Sequence, residues 1–396
     1  MSAGQQAAAR APVPAGPERR PRVAVVASLT SSLVNFRYDL LKELAARAGV
    51  LACAPDHDPE TEAALAAIGV AFRRIPMTRA GIDPLADLTT LRALFRAFRA
   101  FRPDIVLPYT MKPIIYGGLA ARLAGVGQRF ALCTGLGYVF TGRQLRQRLL
   151  RGLSVLLYRQ ALKGARAAIV YNRADAEVFR RCRLTGAGTR LSIVPGSGVN
   201  LARFPAVPVP EGPPVFLMVA RLLHDKGVRE YAGAARILKA AHPGIRIQLL
   251  GPLDANPASV SRAELGAWTA EGTLEYLGHT RDVRPYLAAC SVFVLPSYRE
   301  GISRTVLEAM ATGRAVITTD APGCAEPVED GVTGYVVPVR QEAALAEAMA
   351  RFVRDPGRAA AMGAAARARA RAEFDVARIN ALLLKELFGT GAAQAV

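Results

Sequence analysis

Ten residues near the middle of the chain, PAVPVPEGPP at 205–214, hold five prolines. Proline lacks a backbone donor and fixes φ, so such a stretch continues neither a helix nor a central strand. It reads as a linker dividing the 396 residues almost in half. Each side repeats one pattern. Before the linker, apolar runs at 22–29, 50–55, 104–109, 129–135, 167–172 and 191–196 are separated by helical stretches such as 37–48, 86–101 and 114–124. After it, runs at 215–221, 245–251, 274–279, 292–297, 315–320 and 334–339 again alternate with helices. Short buried strands alternating with helices predict parallel sheets with helices on both faces. Two such α/β units across a linker predict a cleft, with ligands at the carboxyl ends of the strands.

The densest functional pattern is EGISRTVLE, Glu300 to Glu308. It follows the run Val292–Leu295 and precedes a helix-forming stretch, so it reads as strand, loop, helix. Glu300 falls on the loop and Glu308 on the helix. Between them lie the free N–H groups of a helix start, around Gly301, Ile302 and Ser303, a natural anion cradle. Two carboxylates flanking an anion cradle suit a nucleotide sugar: hydroxyls at Glu300, phosphates at the amides, ribose diol at Glu308. Upstream, VFLMVARLLHDKG (215–227) places Arg221 and Lys226 at a strand's carboxyl end. A planar guanidinium and an ammonium there can neutralise a diphosphate.

These two segments, in this order, resemble the Glu-x7-Glu and Arg-x4-Lys-Gly signatures of retaining glycosyltransferases of family 4, with the GT-B fold. Other stretches extend the resemblance over roughly residues 22–388. SLTSSLVNFR (28–37) occupies the family's glycine-containing loop, with Ser31 and Ser32 in place of glycine; they serve either the donor or the helix N-cap. Asn35, Phe36 and Arg37 are similar to the Asn-Phe-Arg of capsule and O-antigen transferases, which implies that Arg37 faces an acceptor phosphate. LCTGLGYVFTG (132–142) resembles the capsule-transferase branch and the transferase that adds N-acetylgalactosamine to lipid-linked bacillosamine. That implies acceptor contacts from Thr134, Gly135 and Gly137, with Lys112 on the same side. Many relatives carry a histidine where Thr134 stands, so no catalytic histidine is assigned. His279 implies a backbone contact to the donor base. PGSGVNLARF (195–204) resembles the end of the family's first domain. GT-B enzymes work without a bound metal, so no cofactor or metal is expected. Asp56-His57-Asp58 is read as a solvated loop.

Charge is uneven. Residues 1–206 carry 30 Lys+Arg against 12 Asp+Glu, net +18; the rest carries +1. An anionic partner for the first half follows: nucleic acid, a membrane surface or a phosphorylated acceptor. No zinc-finger spacing or RNA-binding aromatic motif is present, against nucleic acid. Residues 143–166 hold seven basic residues and no acid, with Leu145, Leu149, Leu153, Leu156 and Leu157 at helical spacing. LRALFRAFRAFR (91–102) adds four arginines and three phenylalanines. Both are read as helices with apolar residues toward the core and arginines toward anionic lipid. No apolar run reaches a bilayer-spanning length, and residues 1–21 lack the apolar segment of a secretory signal. Five scattered cysteines fit a reducing cytoplasm.

The expectation is a disordered tail (1–21), an acceptor- and membrane-binding Rossmann-like domain (22–204), a linker (205–214), a nucleotide-sugar-binding Rossmann-like domain (215–372), and a terminal helix (373–396) that returns to the first domain. The resemblance implies a cytoplasmic, peripheral membrane enzyme. It would move a sugar, with an N-acetylhexosamine as candidate, from a UDP-sugar to a polyprenyl-diphosphate-linked saccharide. Glu300, Arg221 and Lys226 would carry the chemistry. The competing readings are a UDP-sugar epimerase on the same fold and a nucleic-acid-binding protein.

Overall fold

The computed structural model describes residues 19–78, 83–136, 145–254, 256 and 258–389, without side chains at 145–149. The first half builds a seven-stranded sheet from β1 (Arg22–Val26), β2 (Gly49–Ala54), β3 (Val70–Arg74), β4 (Ile105–Pro108), β5 (Gln128–Cys133), β6 (Ala167–Val170) and β7 (Arg190–Ile193). Their order is β3-β2-β1-β4-β5-β6-β7, every pair parallel. Helices α1 (Ser31–Arg47), α2 (Pro59–Ala67), α3 (Pro84–Phe101), α4 (Gly118–Leu123), α5 (Leu145–Leu162) and α6 (Arg173–Arg181) cover it. A π-helical turn, Pro113–Gly117, leads into α4.

The second half holds β8 (Val215–Val219), β9 (Arg246–Leu250), β10 (Glu275–Tyr276), β11 (Val292–Leu295), β12 (Ala315–Thr319) and β13 (Gly334–Val337), in the parallel order β10-β9-β8-β11-β12-β13. Its helices are α7 (Val228–Ala241), α8 (Arg262–Ala270), α9 (Arg284–Ala289), α10 (Arg304–Thr312), α11 (Glu342–Arg354), α12 (Gly357–Glu373) and α13 (Val376–Phe388). In each sheet the chain reverses direction of travel beside the first strand, between β1 and β4 and between β8 and β11. A doubly wound sheet opens a crevice at such a point.

All twelve apolar runs contain strands; the central ones are continuously hydrophobic because they are buried on both faces, while the edge strands β7 and β10 bury little. The sequence reading missed β3. It is an edge strand, VAFRR, with only Val70 fully buried.

The expected linker is strapped to the second half. Val207 N–H donates to Thr312 O at 3.1 Å, and the fully buried Arg314 donates to Pro208 O at 3.0 Å. The chain crosses back at Val199, whose N–H donates to Phe374 O and whose carbonyl accepts from Val376 N–H. Gly198 (φ 71°) makes this crossing possible, since a Cβ there would lie 2.7 Å from Val376 Cα. Helix α13 then packs on α1, with Asn380 donating to Glu43 at 2.9 Å and Glu386 pairing with Arg190. Ahead of β1, Arg19 already pairs with Asp104 at 2.6 Å.

Helix α5 departs from expectation. Its core-facing side is Ser154, Tyr158, Ala161 and Leu162, with Tyr158 edge-on to Phe179. Of the expected leucines, Leu157 packs partly buried against this core, but Leu153 and Leu156 are 41% and 52% exposed, and Leu150 also faces outward. Helical spacing marks a stripe but not which stripe meets the sheet. Here a tyrosine and small residues fit the close approach. Leu145 and Leu149 lie outside the described side chains. In α3 the burial half of the reading holds: Phe98 is buried, Phe95 and Phe101 are half-buried, and Arg92, Arg96 and Arg99 are exposed. Among the described residues no helix is long and apolar enough to cross a membrane.

Candidate active site

A cavity of about 330 Å³ opens where the carboxyl ends of β1 and β4 face those of β8 and β11. Its second-half wall begins at Arg221 and Lys226, just past β8. Lys226 Nζ lies 2.7 Å from a Glu300 carboxylate oxygen, and both side chains are largely buried. Burial works against the ammonium charge, but the adjacent Glu300 carboxylate outweighs it and holds Lys226 above its ordinary value. Arg221 pairs with Asp254 at 2.9 Å and keeps 45% of its side chain exposed, so a ligand can reach it.

The loop after β11 supplies Glu300, Gly301, Ile302 and Ser303 to the same wall. Ser303 is the N-cap residue of α10, and its hydroxyl does not cap the helix; it lies 3.1 Å from Thr305 Oγ1 instead. The first-turn N–H groups of α10 therefore remain available beside Lys226, with the positive end of the helix dipole. Glu308 sits one turn in. It does not line the cavity itself but accepts from Arg304 at 2.8 Å, and Arg304 does line it. Burial pushes the Glu308 carboxyl above its ordinary value despite Arg304.

The first-half wall holds Phe36, Arg37, Tyr109, Thr110, Thr134 and Tyr171. Arg37 is only 4% exposed. It donates to the Tyr171 hydroxyl and stacks against the rings of Tyr109 and Tyr171, at 5.2 and 5.7 Å. Its Nε is buried without a hydrogen-bond partner. Burial raises the pKa of both phenols, Tyr109 to about 12, so both stay protonated donors. The cavity's other three cations, Arg221, Lys226 and Arg304, pair with carboxylates; among the described residues none pairs with Arg37. The unbalanced positive charge of the cavity thus sits on Arg37. Arg304 adds a cation over the Phe36 ring at 5.5 Å. Thr110, at φ 69°, holds a β-branched side chain in a region L-residues rarely adopt, with its hydroxyl 2.8 Å from Ser28 Oγ.

The structure thus brings Arg37, Thr134, Arg221, Lys226, Glu300, Gly301, Ile302 and Ser303 together around one space. Gly135 abuts it: a Cβ there would lie 3.3 Å from Gly301 N. Other expected residues stand elsewhere. Ser32 is buried, its hydroxyl 2.7 Å from Tyr109 OH and its N–H donating to Leu29 O, so it braces the wall rather than offering an amide. Ser31 is the first residue of α1, and Thr30, not either serine, is the N-cap residue. His279 is exposed beyond β10, outside the cavity lining. Lys112 is spent on Asp87 at 2.9 Å and Thr78 at 2.6 Å, because α3 carries a buried carboxylate to it. Gly137 lies outside the described residues. Asp58 N-caps α2 and Asp56 accepts from Thr30 N–H, consistent with a loop role. Among the described residues no group of three or more His, Cys, Asp or Glu could hold a metal ion.

Sequence reasoning missed Tyr109, Tyr171, Arg304 and the stretch Asn172–Asp175. Asn172 Nδ2 donates to Gly301 O at 2.7 Å, and Asp175 pairs with Arg299. Nothing in the local sequence announces contacts between residues more than 120 positions apart.

A sequence profile described as glycosyl transferase 4-like domain matches residues 33–196, and one described as glycosyl transferases group 1 matches 202–369. The chain is 28% identical to an N,N'-diacetylbacillosaminyl-diphospho-undecaprenol alpha-1,3-N-acetylgalactosaminyltransferase of Campylobacter jejuni, over 84% of this chain and 90% of that one. It is 28% identical to the putative glycosyltransferase EpsD of Bacillus subtilis, over 71% of this chain and 75% of EpsD. Among solved structures, sucrose-phosphate synthase from Thermosynechococcus elongatus matches with TM-score 0.75 at 22% identity, covering 93% of this chain and 98% of that one. Anabaena HepE in complex with UDP and glucose matches with TM-score 0.75 at 17% identity, covering 93% and 100%. These structural likenesses establish the fold, GT-B.

Proposed function

The chain belongs to the group 1 glycosyltransferases, and from that premise we propose that it transfers a sugar from a UDP-sugar to a polyprenyl-diphosphate-linked saccharide, with retention of anomeric configuration. The observation that carries the reading is the sorting of charge in the cavity. One wall has a Lys–Glu pair beside an uncapped helix start; the other has a buried arginine that no described carboxylate neutralises. Two anionic groups fit: the donor diphosphate against Arg221, Lys226 and the α10 amides, and the acceptor phosphate against Arg37. Glu300 binds donor-sugar hydroxyls and Glu308 the ribose. Cationic and amide donors fixed around a departing diphosphate stabilise charge as it develops, commonly the largest catalytic contribution. The acceptor hydroxyl attacks on the face the diphosphate leaves, and a leaving phosphate oxygen takes its proton. We expect no metal requirement, with Arg221, Lys226 and the amides at the start of α10 set together against the diphosphate. The name of the Campylobacter jejuni relative supplies the acceptor class and an N-acetylhexosamine as the sugar.

The enzyme works at the cytoplasmic face of an anionic membrane. Helices α3 and α5 flank the π-turn and α4 in one layer of the first half. Leu85, Leu88, Leu123, Leu150, Leu153 and Leu156 project from that layer, with exposed arginines among them. An apolar stripe rimmed by cations suits a lipid surface.

A deletion strain should accumulate a polyprenyl-diphosphate glycan one sugar short, read by mass spectrometry of extracted lipids. No such intermediate, or purified protein that interconverts UDP-sugars without an acceptor, would overturn the reading.

A further inference from the structure

One turn of the first half joins both walls of the cavity. Asn172 N-caps α6: its Oδ1 accepts from Asp175 N–H at 2.7 Å. That leaves Nδ2 free to donate across the cleft, to Gly301 O at 2.7 Å and Glu300 O at 3.3 Å. Asp175, with no exposed surface, pairs with Arg299 of the same loop and also accepts from the backbone N–H of Leu136. The loop 299–301 carries Glu300. The segment 134–136 carries Thr134, whose carbonyl touches Gly301. One carboxylate therefore ties the donor-side loop to the acceptor-side loop.

A buried ion pair is a poor source of stability, because desolvation offsets most of its attraction. An apolar pair would hold two loops together as firmly. A charge pair with fixed hydrogen-bond geometry adds a single register between them. We propose that Asn172 and Asp175 are positioning residues for sugar transfer, and that the Asp175–Arg299 pair sets the donor sugar in line with the acceptor. The proposal rests on the transferase reading above. It assigns these residues no contact with either substrate.

The test uses the full-length chain with Asp175→Asn, Arg299→Gln, the double variant and Arg299→Lys. Transfer from UDP-N-acetylhexosamine to a polyprenyl-diphosphate saccharide gives kcat and KM; calorimetry gives UDP affinity. Misplacement of reacting groups by about 1 Å costs roughly a hundredfold, so each neutral single variant should lose about that in kcat. UDP affinity should hold, since neither Asp175 nor Arg299 pairs with Arg221, Lys226 or Glu308, the groups proposed to bind UDP. The double variant should lose no more than the worse single, because one contact is removed twice. Arg299→Lys should retain part of the rate. Wild-type kcat in the singles, losses that multiply in the double, or UDP affinity falling in step with kcat would overturn the proposal. A second readout needs no substrate. Asp175→Asn should speed amide hydrogen exchange at 134–136 and 299–303 together, and a change at only one of them refutes the tie. If wild type transfers nothing to the lipid-linked acceptor, the substrate reading fails while the exchange result still decides the tie.

Discussion

Gly301→Ala tests the junction between the two walls most cleanly. Gly301 does not adopt a positive φ, so alanine introduces no backbone strain. It also keeps the amide N–H that the anion cradle needs. The cost is steric: a Cβ at this position would stand 2.7 Å from the Thr134 carbonyl carbon and closer to its oxygen, with Tyr171 Cδ2 at 3.3 Å. Both obstacles belong to the first half, and one is backbone, so the walls have to part. A parting of about 1 Å predicts a loss of roughly a hundredfold in kcat. UDP affinity should stay near wild type, because its proposed partners all lie on the second half and move together with the loop. The assay is steady-state transfer to the lipid-linked acceptor, with calorimetry for UDP and a melting curve to confirm folding. A folded variant with undiminished kcat would refute the claim that this contact sets the transfer geometry. So would a fall in UDP affinity as large as the fall in rate.

Other outcomes follow from the same geometry. Arg221→Ala and Lys226→Ala should each lower turnover, since a charge-assisted contact worth about 1.5–3 kcal/mol corresponds to roughly 10- to 150-fold; wild-type rates in both would remove them from the chemistry. Glu308→Ala should weaken UDP itself, whereas Glu300→Ala should mainly impair sugar transfer, and calorimetry with UDP separates the two. Glu308→Gln carries a pH signature. The Glu308 carboxyl is raised by burial, so the native state is favoured by its protonation and loses that advantage as pH rises through the folded pKa. The variant's melting temperature relative to wild type should therefore be more favourable near neutrality than below the ordinary value of 4.5; the opposite trend contradicts the burial argument. Replacing Arg143, Arg146, Arg148 and Arg151 with Gln should release the protein from anionic vesicles. At about 1 kcal/mol per cation this is roughly a thousandfold in partitioning, read by co-sedimentation at low and high salt. Binding unchanged by the substitutions would assign the charge to another partner.

Much of the fold was legible because buried parallel strands need unbroken apolar runs, and five prolines cannot hide inside an element. β3 was not, since an edge strand with Arg73 and Arg74 buries too little to leave a pattern. The second-half motifs were legible because strand, loop and helix follow one another in sequence, which keeps Glu300, Ser303 and Glu308 in known relation. The first-half wall of the cavity was less so. Arg37 is placed by its resemblance, but its two tyrosines come from the ends of β4 and β6, and no local signal links them. Lys112 shows the converse error: a cation past a strand end looks available until a carboxylate 25 residues upstream is brought to it. In α5 the leucines gave the helix and concealed which face it buries.

The most direct test of the account is transfer by the purified chain itself. UDP-N-acetylhexosamine and a polyprenyl-diphosphate-linked saccharide are incubated with the protein and a metal chelator, and the product is read by mass spectrometry and by NMR at the new anomeric centre. The account predicts one added sugar, in the α configuration of the donor, at a rate the chelator does not change. No lipid-linked product, an inverted linkage, or transfer abolished by the chelator would contradict it.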